Sequence, residues 1–213
     1  MPIPLHPSCS LPGAHRPGDP PGTVADRLRM LTGRPLYLVI DAARREDLLD
    51  RLAALEEAVP IDCLWSGDSA VDYADVAPYL LPVPDSGEVD DFLAAGWGDS
   101  WGIAIATSLS QDDLRRHLRR YTMVRLPDGE TLYLRLYDPR VLRTMLPTLT
   151  REQVGPLFAG VDAMIAEGAT PGLTHVFTAE DGILSRFDIG GPDGDSAPGT
   201  HLLPDGTEGV LWP

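Results

Sequence analysis

The sequence contains no lysine: all 17 of its basic residues are arginine, set against 32 acidic residues, for a formal net charge of −15 over 213 residues. So acidic a chain repels phosphate backbones and anionic lipid surfaces, which argues against general nucleic-acid or membrane binding. Cysteine is nearly absent. Cys9 lies in a proline-rich stretch and Cys63 in an apolar one, so neither a disulfide framework nor a four-ligand zinc site can be built from the pair. No apolar run approaches the ~20 residues that span a bilayer. The N-terminus lacks a charged start followed by an apolar block, so no signal peptide is expected and a cytoplasmic location is.

Phosphate-cradling and metal motifs are missing as well. There is no G-x-x-x-x-G-K-[ST] loop and no strand-linked G-x-G-x-x-G, and the five histidines (His6, His15, His117, His175, His201) form no H-x-x-x-H or H-E-x-x-H pair. Asp193 and Asp195 in GPDGD lack the remaining ligands of a calcium loop and read as turn residues. No cofactor is expected.

What is present divides the chain. Seven prolines in residues 1–24 predict a disordered leader, because so few apolar anchors cannot offset the entropy of ordering it. Folding is expected from near Leu36. YLVIDAA (37–43), IDCLWS (61–66) and WGIAIATS (101–108) read as strands, with VAPYLLPV (76–83) as an edge strand because of its prolines. Between them, Leu48, Leu52 and Leu55 mark one helix and VDDFLAAG (89–96) a second. A third runs over 111–121, with Ser110 and Asp113 as a capping box. Asp128-Gly129 signals a hairpin whose return strand is TLYLRLY, and Asp138 then caps a helix that has Pro139 at its first position. Thr150 and Gln153 open another helical stretch, kinked or split at Pro156, and AEDG (179–182) marks a second hairpin.

The early alternation of strands and helices predicts a mixed α/β fold with a partly parallel sheet flanked by helices, later β-hairpins and a small helical C-terminal part. The expected divisions are the leader at 1–24, a core at 36–165, and a hairpin- and loop-rich segment at 166–213.

Two positions invite a catalytic reading. GDSWG (98–102) matches a nucleophile-elbow pattern at Ser100, but an elbow needs a strand before the serine and a helix after it, and here that order is reversed. A helix-to-strand turn is the simpler reading. Asp41 ends the first strand, where it can serve a metal or act as a base, or more simply cap the next helix or pair with an arginine such as Arg44. A small α/β hydrolase-like enzyme using Ser100 or Asp41 is the alternative these residues leave open. A different feature is charge placement: Arg115, Arg116, Arg119, Arg120, Arg125, Arg135, Arg140 and Arg143 lie within 29 residues that hold only Asp128, Glu130 and Asp138 as acids. Such a basic island suits a docking face, or pairing with the surplus carboxylates elsewhere.

Four stretches carry a resemblance: LYLVIDAAR (36–44), DVAPYLLPV (75–83), WGIAIATSLSQDDLRRHLRRY (101–121) and LPDGETLYLRLYDPRVLRTMLPTLTREQVGPLF (126–158). Their order and the DPRV element resemble the type VI secretion effector adaptors, Tap-like chaperones known as the domain-of-unknown-function 4123 family. Leu134 stands where an aromatic is usual, and FAGVDAMI (158–165) departs from the family pattern. The resemblance implies an adaptor domain over 36–165 that is not an enzyme. It implies binding of a secreted toxic effector, through a short helical segment, and loading onto the valine–glycine-repeat (VgrG) spike. Asp41, Asp138, Pro139 and Arg140 are then structural signature residues. Arg116, Arg119 and Arg120 are candidates for partner contact, with Arg135 and Tyr137 on the far face of a strand whose Leu132, Leu134 and Leu136 face the core.

Overall fold

The computed structural model describes residues 24–125, 128–190 and 197–202. The leader up to residue 23 with Cys9, His6 and His15, the Asp193 and Asp195 turn, and residues 203–213 lie outside the described residues.

The chain opens with α1 (Val24–Thr32), whose Ala25 and Leu28 are buried, so folding starts before Leu36. Gly33, at φ +57°, ends it by donating its N–H to the Arg29 carbonyl, a backbone conformation that glycine adopts without steric cost. Then follow β1 (Leu36–Asp41), α2 (Leu48–Leu55), the two-residue β2 (Asp62–Cys63), α3 (Asp68–Asp72), β3 (Pro78–Val83), α4 (Asp90–Gly96) and β4 (Gly102–Thr107). Helix α5 (Gln111–Arg119) leads into a ribbon of β5 (Met123–Arg125) and β6 (Thr131–Tyr133). After α6 (Pro139–Met145) and α7 (Arg151–Leu157), the chain finishes in β7 (Val161–Glu167), β8 (Leu173–Glu180), β9 (Ile183–Gly190) and β10 (Ala197–Leu202).

Eight strands form one sheet in the order β10-β9-β8-β7-β4-β1-β3-β2, and every pairing in it is antiparallel. The expectation of a partly parallel sheet is therefore wrong, as is that of a helical C-terminal part, since β7, β8, β9 and β10 extend the same sheet. The reason is burial. Continuous apolar strands mark a sheet covered on both faces, and this antiparallel sheet is covered on both. Alternate residues of β1 enter opposite cores: Leu36, Leu38 and Ile40 pack with Leu48 and Leu52 of α2 and Phe92 and Leu93 of α4. Val39 packs with Ile103 and Ile105 of β4, Leu114 of α5, Leu142 of α6 and Leu157 of α7. The result is a three-layer arrangement, helix–sheet–helix, with β1 and β4 as interior strands.

Local sequence signals account for most element boundaries. Ser110 accepts the Asp113 N–H and donates its hydroxyl to the Asp113 carboxylate, opening α5. Thr150 and Gln153 form the reciprocal capping box of α7, which remains one helix despite Pro156. Asp181 (φ 51°) and Gly182 (φ 75°) make the tight β8–β9 turn.

Gly102 marks the closest backbone approach in the sheet centre: a Cβ there would lie 2.1 Å from the Val39 carbonyl oxygen. Gly155, by contrast, has open space where its Cβ would be. Gly102→Ala is expected to lower stability by about 1–3 kcal/mol in urea unfolding. Gly155→Ala, inside α7, is expected to raise it by about 0.5–1 kcal/mol.

Candidate functional site: the Asp41–Asp138 knot and the basic face

Asp41 is the last residue of β1 and is fully buried. Its N–H donates to the Trp101 carbonyl (2.7 Å), which holds the strand end against β4. Its carboxylate accepts the Ala43 N–H at 3.2 Å, capping the short 3-10 turn Ala42–Arg44. The same carboxylate receives the Arg135 guanidinium, a residue 94 positions away in sequence. Arg44, the nearer arginine in sequence, instead donates to the carbonyls of Ser100 and Asp99.

Arg135 sits in a reverse turn closed by the Asp138 N–H on the Arg135 carbonyl (2.9 Å). Strand β6 ends at Tyr133, so the expected seven-residue strand TLYLRLY is only three residues long. The alternation predicted from it fails accordingly. Leu132 is exposed, whereas Leu136 and Tyr137 are both buried although adjacent, which a turn permits and a strand does not. The turn delivers Asp138, also buried, to the start of α6. There its carboxylate accepts the Arg140 N–H (2.9 Å), capping the helix, and both Nε (2.9 Å) and Nη2 (2.6 Å) of the Arg140 side chain. Pro139 occupies the first helical position, where no N–H is needed.

Asp41, Arg135, Asp138 and Arg140 therefore form one charge-balanced knot, with buried carboxylates and guanidinium groups reaching the surface. Burial pushes the Asp41 carboxyl above its ordinary value, against the opposing pull of Arg135 and the Ala43 N–H. Burial acts on Asp138 in the same sense, but its bonds to Arg140 prevail and the group titrates below its ordinary value. Burial, then the Asp41 charge, pushes the Tyr137 phenol strongly upward. Of the four residues expected as a structural signature, Asp41, Asp138 and Arg140 make bonds of this knot and Pro139 is buried beside it at the start of α6.

The partner-contact candidates are scattered differently. Helix α5 is fastened to β2 by Arg115, which donates to the Cys63 carbonyl (3.0 Å), and by Gln111, which donates to Asp62 (2.7 Å). Arg116 pairs with Asp113 on the surface, and Arg119 donates to the Ser66 hydroxyl. Arg120 is exposed, and its side chain has no ion pair among the described residues. Tyr137 is buried and so presents no free face, and Arg135 is tied to Asp41 with part of its surface open.

Ser100 stands on the loop before β4 at φ 57°. Its N–H donates to the Glu167 carboxylate (3.0 Å) and its carbonyl accepts from Arg44. The imidazoles of His117 and His175 are committed elsewhere, His117 to the Leu157 carbonyl (2.7 Å) and His175 to Asp188 (2.6 Å). Glu167 carries no sequence motif; its only signal is an acid ending an apolar run, the same signal as Asp41. Burial raises its titration above the ordinary value, against the N–H groups of Gly98 and Ser100. Among the described residues, no three histidine, cysteine, aspartate or glutamate side chains gather as a metal-binding group, and no helix is long and apolar enough to cross a membrane.

A family model described as "Domain of unknown function (DUF4123)" matches residues 36–155, more than half of the chain. The protein belongs to the DUF4123 family. The match runs from the first residue of β1 into α7, so the DUF4123 region contains the whole knot, α5 and the β5–β6 ribbon. Strands β7, β8, β9 and β10 follow it. No curated protein and no solved structure matches the chain.

Asp138 and Glu167 titrate in opposite directions, and their effects on stability differ in sign. Asp138 has a depressed folded-state value, so its contribution is present above its ordinary 3.8 and is lost as pH falls through the folded value. Asp138→Ala is expected to cost about 1–2 kcal/mol at neutral pH, chiefly the lost cap, and to flatten the acid limb of a urea-stability profile. Glu167 has a raised folded-state value, so stability is lost as pH rises from its ordinary 4.5 through the folded value. Glu167→Gln is expected to remove that loss, leaving a flatter profile toward neutral pH.

Proposed function

We propose that this DUF4123 protein is a non-catalytic adaptor that binds a type VI secretion effector in the cytoplasm and helps load it onto the VgrG spike. The observation that carries this reading is the family match over residues 36–155, combined with the resemblance of the DPRV corner to the effector adaptors. The geometry adds support. Signature residues that looked available for chemistry are consumed in structural bonds: Asp41 by Ala43 and Arg135, and Asp138 by Arg140. The basic helix α5, with the exposed Arg120, remains outside that knot. Proteins, rather than nucleic acids or membranes, are the partners a chain of net charge −15 accommodates.

The positive φ of Ser100 is the one observation that favours a hydrolase instead, since nucleophile elbows are strained. Here the element after the serine is strand β4, not a helix.

Co-expression of the full chain with the products of neighbouring toxin and spike genes separates the two readings. The adaptor reading expects a complex that survives affinity purification at moderate salt and no labelling of Ser100 by a fluorophosphonate probe. Failure to retain either partner, with labelling that Ser100→Ala abolishes, would replace it with the hydrolase reading.

A further inference from the structure

Residues 66–76, between β2 and β3, contain no buried side chain, although they include a helix and a 3-10 turn (Ala74–Val76). Val71, Tyr73 and Val76 are 78%, 55% and 36% exposed. Single exposed apolar residues are ordinary, but three within six positions form a patch that the fold leaves uncovered. The segment is nonetheless held in shape at both ends. Trp65 packs its ring 5.1 Å from that of Tyr133 on the β5–β6 ribbon, and Arg119 donates to the Ser66 hydroxyl. At the far end the Tyr79 hydroxyl donates to the Ala74 carbonyl (2.9 Å), and the Ala42 N–H to the Ala77 carbonyl (3.1 Å). A patch fixed in this way loses little freedom when it is covered.

The charge on this patch is negative. Asp68, Asp72 and Asp75 are exposed, interleaved with the apolar residues, and have no ion pair among the described residues. No arginine, lysine or histidine occurs between Arg51 and Arg115. Asp68 and Asp72 stand one turn apart in α3, a like-charge pair that weakens the helix, and Asp72 lies at its C-terminal end, where a cation is favoured. The arginines of adjoining elements are engaged elsewhere: Arg119 by Ser66, Arg115 by Asp62 and the Cys63 carbonyl, and Arg44 by the Ser100 and Asp99 carbonyls. Arg125 is at the turn end of the ribbon, opposite Thr131, with Asp128 and Glu130. Carboxylates set among aliphatic and aromatic side chains are complementary to arginine or lysine set among apolar ones.

From this we infer that the Val71–Tyr73–Val76 patch, with Asp68, Asp72 and Asp75, is a docking site for a basic amphipathic segment of a partner protein. This rests on the adaptor reading for the partner's identity, but its chemistry is testable without it. The apolar side chains of the segment cover Val71, Tyr73 and Val76, and its arginine or lysine side chains meet the three aspartates. Binding then relieves the like-charge pair of α3 as it buries the apolar patch.

The test uses the full chain and three labelled synthetic peptides of equal length: leucine with arginine, serine with arginine, and leucine with glutamate. Fluorescence anisotropy is expected to give binding of the leucine–arginine peptide, weakened by added salt, with the other two weaker by about tenfold or more. Asp72→Asn with Asp75→Asn, and separately Val71→Ser with Tyr73→Ser, should each weaken it about tenfold while circular dichroism stays unchanged. A chain this acidic attracts any cationic peptide, so Glu56→Gln with Glu57→Gln, two exposed acids after α2, serves as the control and should leave binding within about twofold. Equal binding of the two arginine peptides, an equal loss in the Glu56 and Glu57 variant, or no loss in the patch variants overturns the proposal. So does a wild-type dimer in sedimentation that Val71→Ser with Tyr73→Ser makes monomeric, which assigns the face to a second copy. Co-purification separates the two claims: an effector and spike retained equally by wild type and the Val71 and Tyr73 variant sink this surface and leave the adaptor reading standing. Patch-dependent peptide binding without any retained effector or spike does the reverse.

Discussion

The contact between Asp41 and Arg135 joins parts of the molecule that sequence separates by 94 residues. Asp41 closes β1, an interior strand of the sheet, and Arg135 opens the turn that starts α6. A carboxylate with no solvent exposure needs a cation and hydrogen bonds to stay charged, and the Ala43 N–H and Arg135 together supply them. Asp138 repeats the arrangement one step along the chain, with Arg140 as its cation and the α6 amide as its donor. Asp41 and Arg135 tie the corner before α6 to the end of β1, and Asp138 with Arg140 fixes the start of α6 within that corner. The DPRV element is thus a fastening, its Asp138 and Arg140 occupied with each other at the start of α6.

The β5–β6 ribbon stands apart from the eight-stranded sheet, so its exposed side can vary without disturbing the core. The same ribbon hangs from the knot, because Leu134 donates to the Thr122 carbonyl just before the chain reaches Arg135.

Much of this was legible in the sequence, and the failures have physical causes. Capping by Ser110, Asp138 and Thr150 is a local matter of one side chain and one amide, so it read correctly. Strand direction is set by tertiary pairing, and the apolar runs of β1 and β4 look the same in any sheet covered on both faces, so antiparallel pairing was invisible. Helix α1 was missed because its buried residues, Ala25 and Leu28, are few and follow a proline-rich stretch. In LYLRLYDPR, the alternating leucines imitate a strand, but the turn at Arg135–Asp138 interrupts it and buries Leu136 and Tyr137 together. The pairing of Asp41 with Arg135 rather than Arg44, and the burial of Glu167 against Ser100, depend on contacts between distant segments that no local pattern encodes.

The central claim is that Asp41 and Arg135 act as one structural unit. A double-mutant cycle measured by urea unfolding at neutral pH tests it, with Asp41→Asn, Arg135→Met and both together. Arg135→Met alone leaves a buried carboxylate without its cation and should be clearly destabilising, though less than the ~3–5 kcal/mol of a wholly buried pair because the guanidinium is partly exposed. In the Asp41→Asn background the same change should cost much less, giving a coupling energy of at least about 1 kcal/mol. Additive costs, with no coupling beyond experimental error, would contradict the account.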